Sequence, residues 1–175
     1  MRIIGLAGWS GSGKTTLLAK AIPRIVARGL SVSTLKHAHH DFDVDQPGKD
    51  SHTHRLAGAT EVLIGSDRRW ALVHELRSAH EPALGALLKR LSPVDLVLIE
   101  GYKTAPHPKL EVHRAAVGAP LLAPDDPAIV AIASDVPLPA ATVPVVDLDD
   151  VDRIVDVLIR HAAPLDAILT QAGTA

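Results

Sequence analysis

The sequence contains no cysteine among its 175 residues. Disulfides, thiolate zinc sites and cysteine nucleophiles are therefore excluded together. Aromatic residues amount to only 2% of the chain, and the formal net charge is −2. The chain thus has neither the stacking side chains that hold single-stranded nucleic acid nor a basic field that attracts it. We expect no nucleic-acid partner.

Long apolar runs are also missing from the sequence. No stretch approaches the roughly 18 apolar residues that suggest a membrane span. The run Ile3–Ala7 near the N-terminus is too short for a signal peptide and leads into a glycine-rich turn at Gly8. We therefore expect no membrane partner and a cytoplasmic location. Hydrophobic residues nevertheless make up 47% of the chain, which is typical of a folded globular protein.

Apolar segments of strand length alternate with segments of helical periodicity along the chain. This alternation predicts an α/β protein whose mostly parallel sheet is covered by helices on both faces. The predicted strands are Arg2–Ala7, Ser31–Lys36, Asp95–Glu100, Lys109–His113, Ile129–Ala133 and Val143–Val146. A hairpin is predicted from Thr60–Ile64 and Trp70–Val73, and helices are predicted from Lys14 toward Arg28 and over Ser51–Ala57, Pro82–Leu91 and Val151–His161.

The residues from Gly8 to Thr15 match the phosphate-binding pattern G-x-x-x-x-G-K-[ST]. Glycines let the backbone curl so that its N–H groups point at phosphate oxygens, and the following helix presents its positive end to the anion. Lys14 adds a charge near the terminal phosphates, and the Thr15 hydroxyl is a magnesium ligand. The residues predicted to contact the nucleotide here are Gly11, Ser12, Gly13, Lys14, Thr15 and Thr16.

This loop predicts a three-layer P-loop nucleotide hydrolase fold with a mostly parallel twisted sheet and an inserted hairpin. We predict that residues 1–163 form the P-loop nucleotide-binding domain, with the hairpin inserted at about residues 60–74. We expect residues 164–175 to be a loosely held tail.

A magnesium–nucleotide site also needs a carboxylate at the carboxyl end of a neighbouring strand. Glu100 ends an apolar strand at that edge, whereas Asp95 begins the same strand about 16 Å away. Asp41 follows the second strand and is either a magnesium ligand, direct or through water, a residue that orients the attacking water, or an ordinary loop acid. The catalytic candidates are thus Lys14, Asp41 and Glu100, and the magnesium candidates are Thr15, Glu100 and Asp41.

Ten histidines occur in the chain, and they are clustered. Three readings stay open for the cluster: a transition-metal site, contact with an anionic substrate or partner, or polar residues of a solvated loop. The clustered histidines are His37, His39 and His40, followed by His52, His54, His107 and His113. Six cations on nearby segments suggest a second anionic ligand: Lys36, Lys49, Arg55, Lys103, Lys109 and Arg114.

The segments Gly8–Leu18, Lys36–Ser51, Leu98–Lys103 and His107–Arg114 together resemble the molybdopterin-guanine dinucleotide biosynthesis protein B family. Members of that family are P-loop GTP-binding adaptors of molybdenum cofactor maturation. The resemblance covers about residues 1–160. Its specific part is Lys36–Ser51, because the phosphate loop is shared by a very large superfamily.

The resemblance implies that the chain binds GTP and Mg²⁺ and has at most slow GTPase activity. It implies a role in assisting the guanylyltransferase that joins GMP to molybdopterin, an anionic small molecule. It further implies a homodimer, with the segment between the second strand and the hairpin in the interface. By match of motif, Gly11, Gly13, Lys14 and Thr15 would contact phosphates, and Glu100 would lie near magnesium.

The guanine-reading pattern Asn-Lys-x-Asp is absent from the sequence. The nearest substitute is Asp135, which follows the strand Ile129–Ala133 and carries a carboxylate that can accept hydrogen bonds from guanine N1 and N2. The alternative is a plain turn. Two other functions use the same loop: a small-molecule kinase, and a histidine-rich GTPase that delivers a metal.

Overall fold

The computed structural model describes residues 1–38 and 42–172. In chain order its elements are β1 (Arg2–Ala7), α1 (Lys14–Ala27), β2 (Val32–Lys36), α2 (Asp50–Leu56), β3 (Glu61–Gly65), β4 (Trp70–His74), α3 (Leu84–Leu88), β5 (Leu96–Glu100), β6 (Lys109–His113), β7 (Ile129–Ser134), β8 (Val145–Asp147), α4 (Val151–His161), β9 (Ala163–Pro164) and α5 (Leu165–Ala172). The chain divides into a larger unit, Met1–His37 with Leu84–Ala175, and a smaller unit, Ala38–Ala83.

A seven-stranded sheet forms the centre of the larger unit. Its strand order is β2-β5-β1-β6-β7-β8, and these neighbours are parallel. The short strand β9 pairs antiparallel with the first residues of β1. The carboxyl ends of six strands therefore share one edge of the sheet, which is where ligands bind in doubly wound folds.

The helices cover both faces of this sheet, because successive side chains of a strand point to opposite sides. Ile4 and Leu6 of β1 pack into a buried cluster with α1 and α4. Ile3 faces the other way, into a cluster with Leu88 of α3 and Ile168 of α5. The arrangement of helices, sheet and helices confirms the predicted three-layer α/β fold.

The C-terminal segment is not the loosely held tail that the sequence suggested. Residues 165–172 form α5, and the Leu165 N–H donates to the Met1 carbonyl at 3.1 Å. Ile168 is buried against the sheet with Ile3 and Val97. The expectation was wrong because Leu165 and Ile168 lie three positions apart and form a short apolar helical stripe, which packs into the cluster that contains Ile3 and Leu88.

The smaller unit contains α2 and a two-stranded antiparallel sheet, β3–β4. This sheet confirms the predicted hairpin. Arg55 of α2 connects its parts. The Arg55 guanidinium donates to Asp45 at 2.9 and 3.1 Å, to Asp43 at 2.7 Å and to Glu75 at 3.2 Å. These ion pairs hold the loop before α2 and the end of the hairpin to one helix.

The segment after β5 brings an uncharged histidine into the core. His107 is completely buried, and neither of its ring nitrogens has a hydrogen-bond partner among the described residues. Its ring lies against Gly5 of β1, where a Cβ atom would collide with Nε2. Burial, aided by the nearby Lys109 charge and opposed by Asp126, lowers the pKa of His107 to about 4. The folded state therefore favours the neutral ring.

We predict that His107 makes the protein less stable in acid. The unfolded chain takes up a proton near the ordinary pKa of 6.5, whereas the folded chain resists it until about pH 4. The contribution of His107 to the free energy of unfolding is thus complete above pH 6.5 and is lost as the pH falls toward 4. The loss across this range is about 3 kcal/mol. Urea unfolding of His107→Leu across this window is expected to show a shallower loss of stability than the wild type.

The exposed His80 provides the control for this experiment. His80→Leu is expected to keep the pH dependence of the wild type. Equal pH slopes for the wild type and His107→Leu would contradict the assignment of a buried neutral ring.

Candidate functional site

The loop between β1 and α1 turns through glycines at positive φ, including Gly8 at 140° and Gly13 at 94°. A side chain at Gly8 would be blocked, because its Cβ would lie 2.5 Å from the Val112 carbonyl oxygen and 2.8 Å from Ser12 Oγ. Ser12 is buried, and its backbone N–H donates to the Trp9 carbonyl at 3.2 Å. The loop therefore packs tightly on the end of β6 and curls as the glycine pattern predicted.

Lys14 folds over this loop at the start of α1. Its Nζ donates to the carbonyl oxygens of Gly8 and Trp9, both at 2.9 Å. Partial burial lowers the pKa of Lys14, with Lys103 and Lys36 adding to the effect and the Glu100 carboxylate opposing it. Lys14 therefore lies in a strongly charged setting, with an acid and further cations nearby.

Thr15 and Glu100 are brought together from distant parts of the sequence. Glu100 ends β5 and lies opposite Leu6 in the parallel register with β1. The Thr15 hydroxyl donates to the Glu100 carboxylate, with oxygen–oxygen distances of 3.1 and 3.3 Å. Asp95 lies at the other end of β5, where it accepts from the Ser31 N–H and hydroxyl. The acid at the carboxyl end is therefore the one that meets the loop.

The opposite flank of the loop carries Arg114 and Asp135, which follow β6 and β7. Arg114 Nη2 lies 3.5 Å from the position that a Cβ on Gly13 would take. Arg114 Nη1 is 3.7 Å from Asp135 Oδ2, while Asp135 Oδ1 accepts from the Ala115 N–H at 2.8 Å. Asp135 also lines a cavity of about 210 Å³ at the ends of β7 and β8, together with Ser134, Val136, Pro137, Val145, Val146 and Asp147.

Trp9 is a contact residue that the sequence pattern did not single out. It occupies a variable position of the loop, so the motif carries no signal for it. Its Nε1 donates to the Pro120 carbonyl at 2.7 Å, and Lys103 Nζ lies 4.9 Å from the ring centroid. The tryptophan ring therefore connects the phosphate loop with the loops that follow β5 and β6.

The prediction that six cations bind a second anionic ligand is wrong for two of them. Lys109 is buried and its Nζ contacts Asp126 Oδ2 at 2.9 Å. Arg55 is held by Asp43, Asp45 and Glu75 within the smaller unit. Each of these two charges is already paired with carboxylates, so neither is available to a second anionic ligand.

The predicted histidine cluster separates into different environments. His107 lies in the core, and His113 Nδ1 is 3.1 Å from Ser134 Oγ. The ring centroids of His37 and Tyr102 lie 4.6 Å apart. His39, His40 and Asp41 lie outside the described residues, so the proposed roles of Asp41 stay a prediction. Within residues 1–38 and 42–172, no group of three or more histidine and acidic side chains is placed to hold a metal ion.

Comparison with known proteins identifies the family of the chain. The MobB family model, described as molybdopterin guanine dinucleotide synthesis protein B, matches residues 3–135. The chain belongs to the MobB family. The resemblance recognised from its motifs is thereby confirmed.

Two relatives of this MobB chain carry the description molybdopterin-guanine dinucleotide biosynthesis adapter protein. The Escherichia coli protein is 42% identical over 161 residues, which cover 90% of this chain and 91% of the relative. The Haemophilus influenzae protein is 41% identical over 138 residues, which cover 78% of this chain and 76% of the relative.

A crystal structure of a MobB homologue from Bacillus stearothermophilus is similar to this MobB chain, with a TM-score of 0.64 and 27% identity. The similarity covers 91% of this chain and 97% of that one. Among the described residues, no helix is long and apolar enough to cross a membrane.

Proposed function

We propose that the chain binds GTP with Mg²⁺ on the loop from Gly8 to Thr15 and acts as an accessory protein in the attachment of GMP to molybdopterin. The observation that carries this proposal is the hydrogen bond between Thr15 and Glu100 beside Lys14. The description of its relatives as adapter proteins of molybdopterin-guanine dinucleotide biosynthesis supports the pathway.

The groups around the loop fit a magnesium–triphosphate ligand. Magnesium prefers hard oxygen donors, and the Thr15 hydroxyl and the Glu100 carboxylate provide such donors within hydrogen-bond distance of each other. The bound ion would neutralise phosphate charge. Lys14 and the backbone of Gly11–Thr16 would hold the phosphate oxygens, because the positive end of α1 faces the loop.

In this proposal the chain binds and presents the nucleotide, and it hydrolyses GTP slowly at most. Glu100 is hydrogen-bonded to Thr15, a position suited to a magnesium ligand rather than to a base that activates water. In this proposal, GTP occupancy supports the guanylyltransferase that joins GMP to molybdopterin. Residues 1–163 would form the nucleotide-binding domain, with the hairpin as its insertion.

Guanine recognition is assigned to the cavity at the ends of β7 and β8. These strands lie on the side of β1 away from Glu100, so a nucleotide held by the loop can extend its base in that direction. Asp135 lines the cavity and carries the carboxylate that guanine N1 and N2 require.

We also propose that the chain forms a homodimer through the smaller unit. Leu63 pairs with Leu72 and Gly65 with Trp70, so the three large side chains share one face of the hairpin. Leu63 and Trp70 are each 68% exposed, and Leu72 is 43% exposed. A contiguous apolar face of this kind is typical of a protein–protein contact, and a second copy provides the matching face by symmetry.

Lys14→Ala is expected to weaken GTP binding by roughly tenfold to a hundredfold, because it removes a charged contact to phosphate. Titration calorimetry in the presence of Mg²⁺ measures the effect. Lys20→Ala, on the exposed side of the same helix, is the matched control and is expected to bind as the wild type. Equal GTP affinity of the wild type and Lys14→Ala would refute the site.

Asp135→Asn is expected to change the base preference of the protein. The asparagine amide can donate to the carbonyl that xanthine carries at position 2, whereas it loses an acceptor for guanine. GTP affinity is expected to fall by roughly tenfold and the affinity for xanthosine triphosphate to rise. Asp147→Asn, in the same cavity, is the control. If only Asp147→Asn changed the preference from GTP to xanthosine triphosphate, Asp147 rather than Asp135 would be the residue that recognises the base.

Leu63→Lys is expected to convert the dimer into monomers, because a charge would be buried at the centre of the apolar face. Light scattering of the purified protein measures the molecular mass. Val26→Lys replaces an apolar residue on α1 that is also exposed, at 54%, and is expected to leave the dimer intact. A monomeric wild-type protein at micromolar concentration would exclude this interface.

The pathway is tested with purified guanylyltransferase, molybdopterin and labelled GTP. Addition of the wild-type chain is expected to raise the rate or yield of GMP attachment, and Lys14→Ala is expected to lose this effect. Transfer of the terminal phosphate to the pterin would instead indicate a kinase. A deletion strain with normal guanine-dinucleotide molybdoenzymes at all molybdate concentrations would contradict the assigned pathway.

A further inference from the structure

We propose that Arg114 is a second cationic contact for the polyphosphate of the bound nucleotide, held between the phosphate loop and the base cavity by Asp135. The proposal rests on the proposed nucleotide-binding function and adds a residue that lies outside the loop motif. It follows from where the sheet places Arg114, from what the guanidinium touches and from how much of it faces solvent.

The strand order places Arg114 on the flank of the loop opposite Glu100. β1 lies between β5 and β6, and Arg114 is the residue directly after β6. Its Nη2 and Nε atoms lie 3.5 and 3.8 Å from the position that a Cβ on Gly13 would take. The guanidinium therefore lies beside the residue that precedes Lys14, at the positive end of α1.

Asp135 fixes the other side of the guanidinium. Arg114 Nη1 lies 3.7 Å from Asp135 Oδ2, and the second carboxylate oxygen accepts from the Ala115 N–H at 2.8 Å. The same aspartate lines the cavity at the ends of β7 and β8. A nucleotide with its phosphates on the loop and its base in that cavity would pass Arg114, because Arg114 lies between Gly13 of the loop and Asp135 of the cavity.

The guanidinium has donors to offer such a ligand. Arg114 keeps 43% of its side chain exposed, and its contact with Asp135 uses one of its nitrogen atoms at long range. Arginine carries five N–H donors in a planar fork that matches phosphate oxygens, so it can keep one partner and bind another. The loop would then be flanked by an acid and hydroxyl on the β5 side and by a cation on the β6 side.

The alternative is a purely structural ion pair that joins the turns after β6 and β7. Arg24 provides a matched control, because it is also 43% exposed and pairs with Asp152 at 3.4 Å on the α1–α4 surface. Arg114→Gln is expected to weaken GTP and GDP binding by roughly tenfold or more, and Arg24→Gln to leave both affinities unchanged. The affinity of Arg114→Gln is also expected to depend less on salt, because one charge–charge contact is lost.

The salt dependence separates the two roles. Weakened binding with the salt dependence of the wild type would show a structural role and overturn the proposal. Equal GTP affinities of Arg114→Gln and Arg24→Gln would overturn it as well. Arg114→Lys keeps the charge but not the fork, so we expect it to regain the salt dependence and only part of the affinity.

A measurement on the wild-type protein covers the case in which the variants do not fold. Phenylglyoxal modifies accessible arginine side chains, and mass spectrometry reports the rate at each position. GTP is expected to slow the modification of Arg114 but not of Arg24. Equal rates at Arg114 with and without saturating GTP would overturn the proposal.

Failure of the inference can be told apart from failure of the proposed function. If the wild-type protein binds no GTP, or if Lys14→Ala binds GTP as the wild type does, the proposed nucleotide site itself is wrong. If Lys14→Ala loses affinity while Arg114→Gln behaves as Arg24→Gln, the nucleotide site stands and only the role of Arg114 is wrong.

Discussion

The parallel pairing of β1 with both β5 and β6 is the constraint on which the candidate site depends. It places the loop that follows β1 between the ends of two strands, so residues about 85 and 100 positions further along become its neighbours. Glu100 meets Thr15 on one side, and Arg114 lies against Gly13 on the other. The pairing holds because β1 is apolar on both faces and is buried by helices on each side.

The two flanks of the loop are electrostatically different as a result. On the β5 side, carboxylate and hydroxyl oxygens suit a hard cation. On the β6 side, Arg114 and Asp135 lead toward a cavity of about 210 Å³. Lys14 lies over the loop between these flanks, with its ammonium held by two backbone carbonyls. These two flanks are complementary to a magnesium nucleotide, whose metal ion is positive and whose phosphate oxygens are negative.

Buried polar residues shape the loop connections on the β6 side. Lys109 is paired with Asp126, and Glu111 accepts from the N–H groups of Leu122 and Ala123 at 2.7 and 2.9 Å. These contacts satisfy charges inside the protein, where unpaired charges would be costly. They tie the connection before β7 to β6, the strand that ends at Arg114. Residues that read as surface charges in the sequence thus support the geometry of the site.

The sequence by itself determined the phosphate loop, the order of most strands and helices, and the family. These features depend on local patterns: glycine spacing, apolar periodicity and short motifs. Glu100 was also predictable, because the carboxyl ends of parallel strands meet at one edge of the sheet. Tertiary structure alone decided that Arg55 and Lys109 are paired with carboxylates, that His107 is buried and that residues 165–172 form a packed helix. It also decided that Trp9 connects the loop to the segments after β5 and β6, and that Arg114 lies beside the loop. Such contacts join residues far apart in the chain, and a charged or aromatic side chain acquires its role only from the neighbours that folding brings to it.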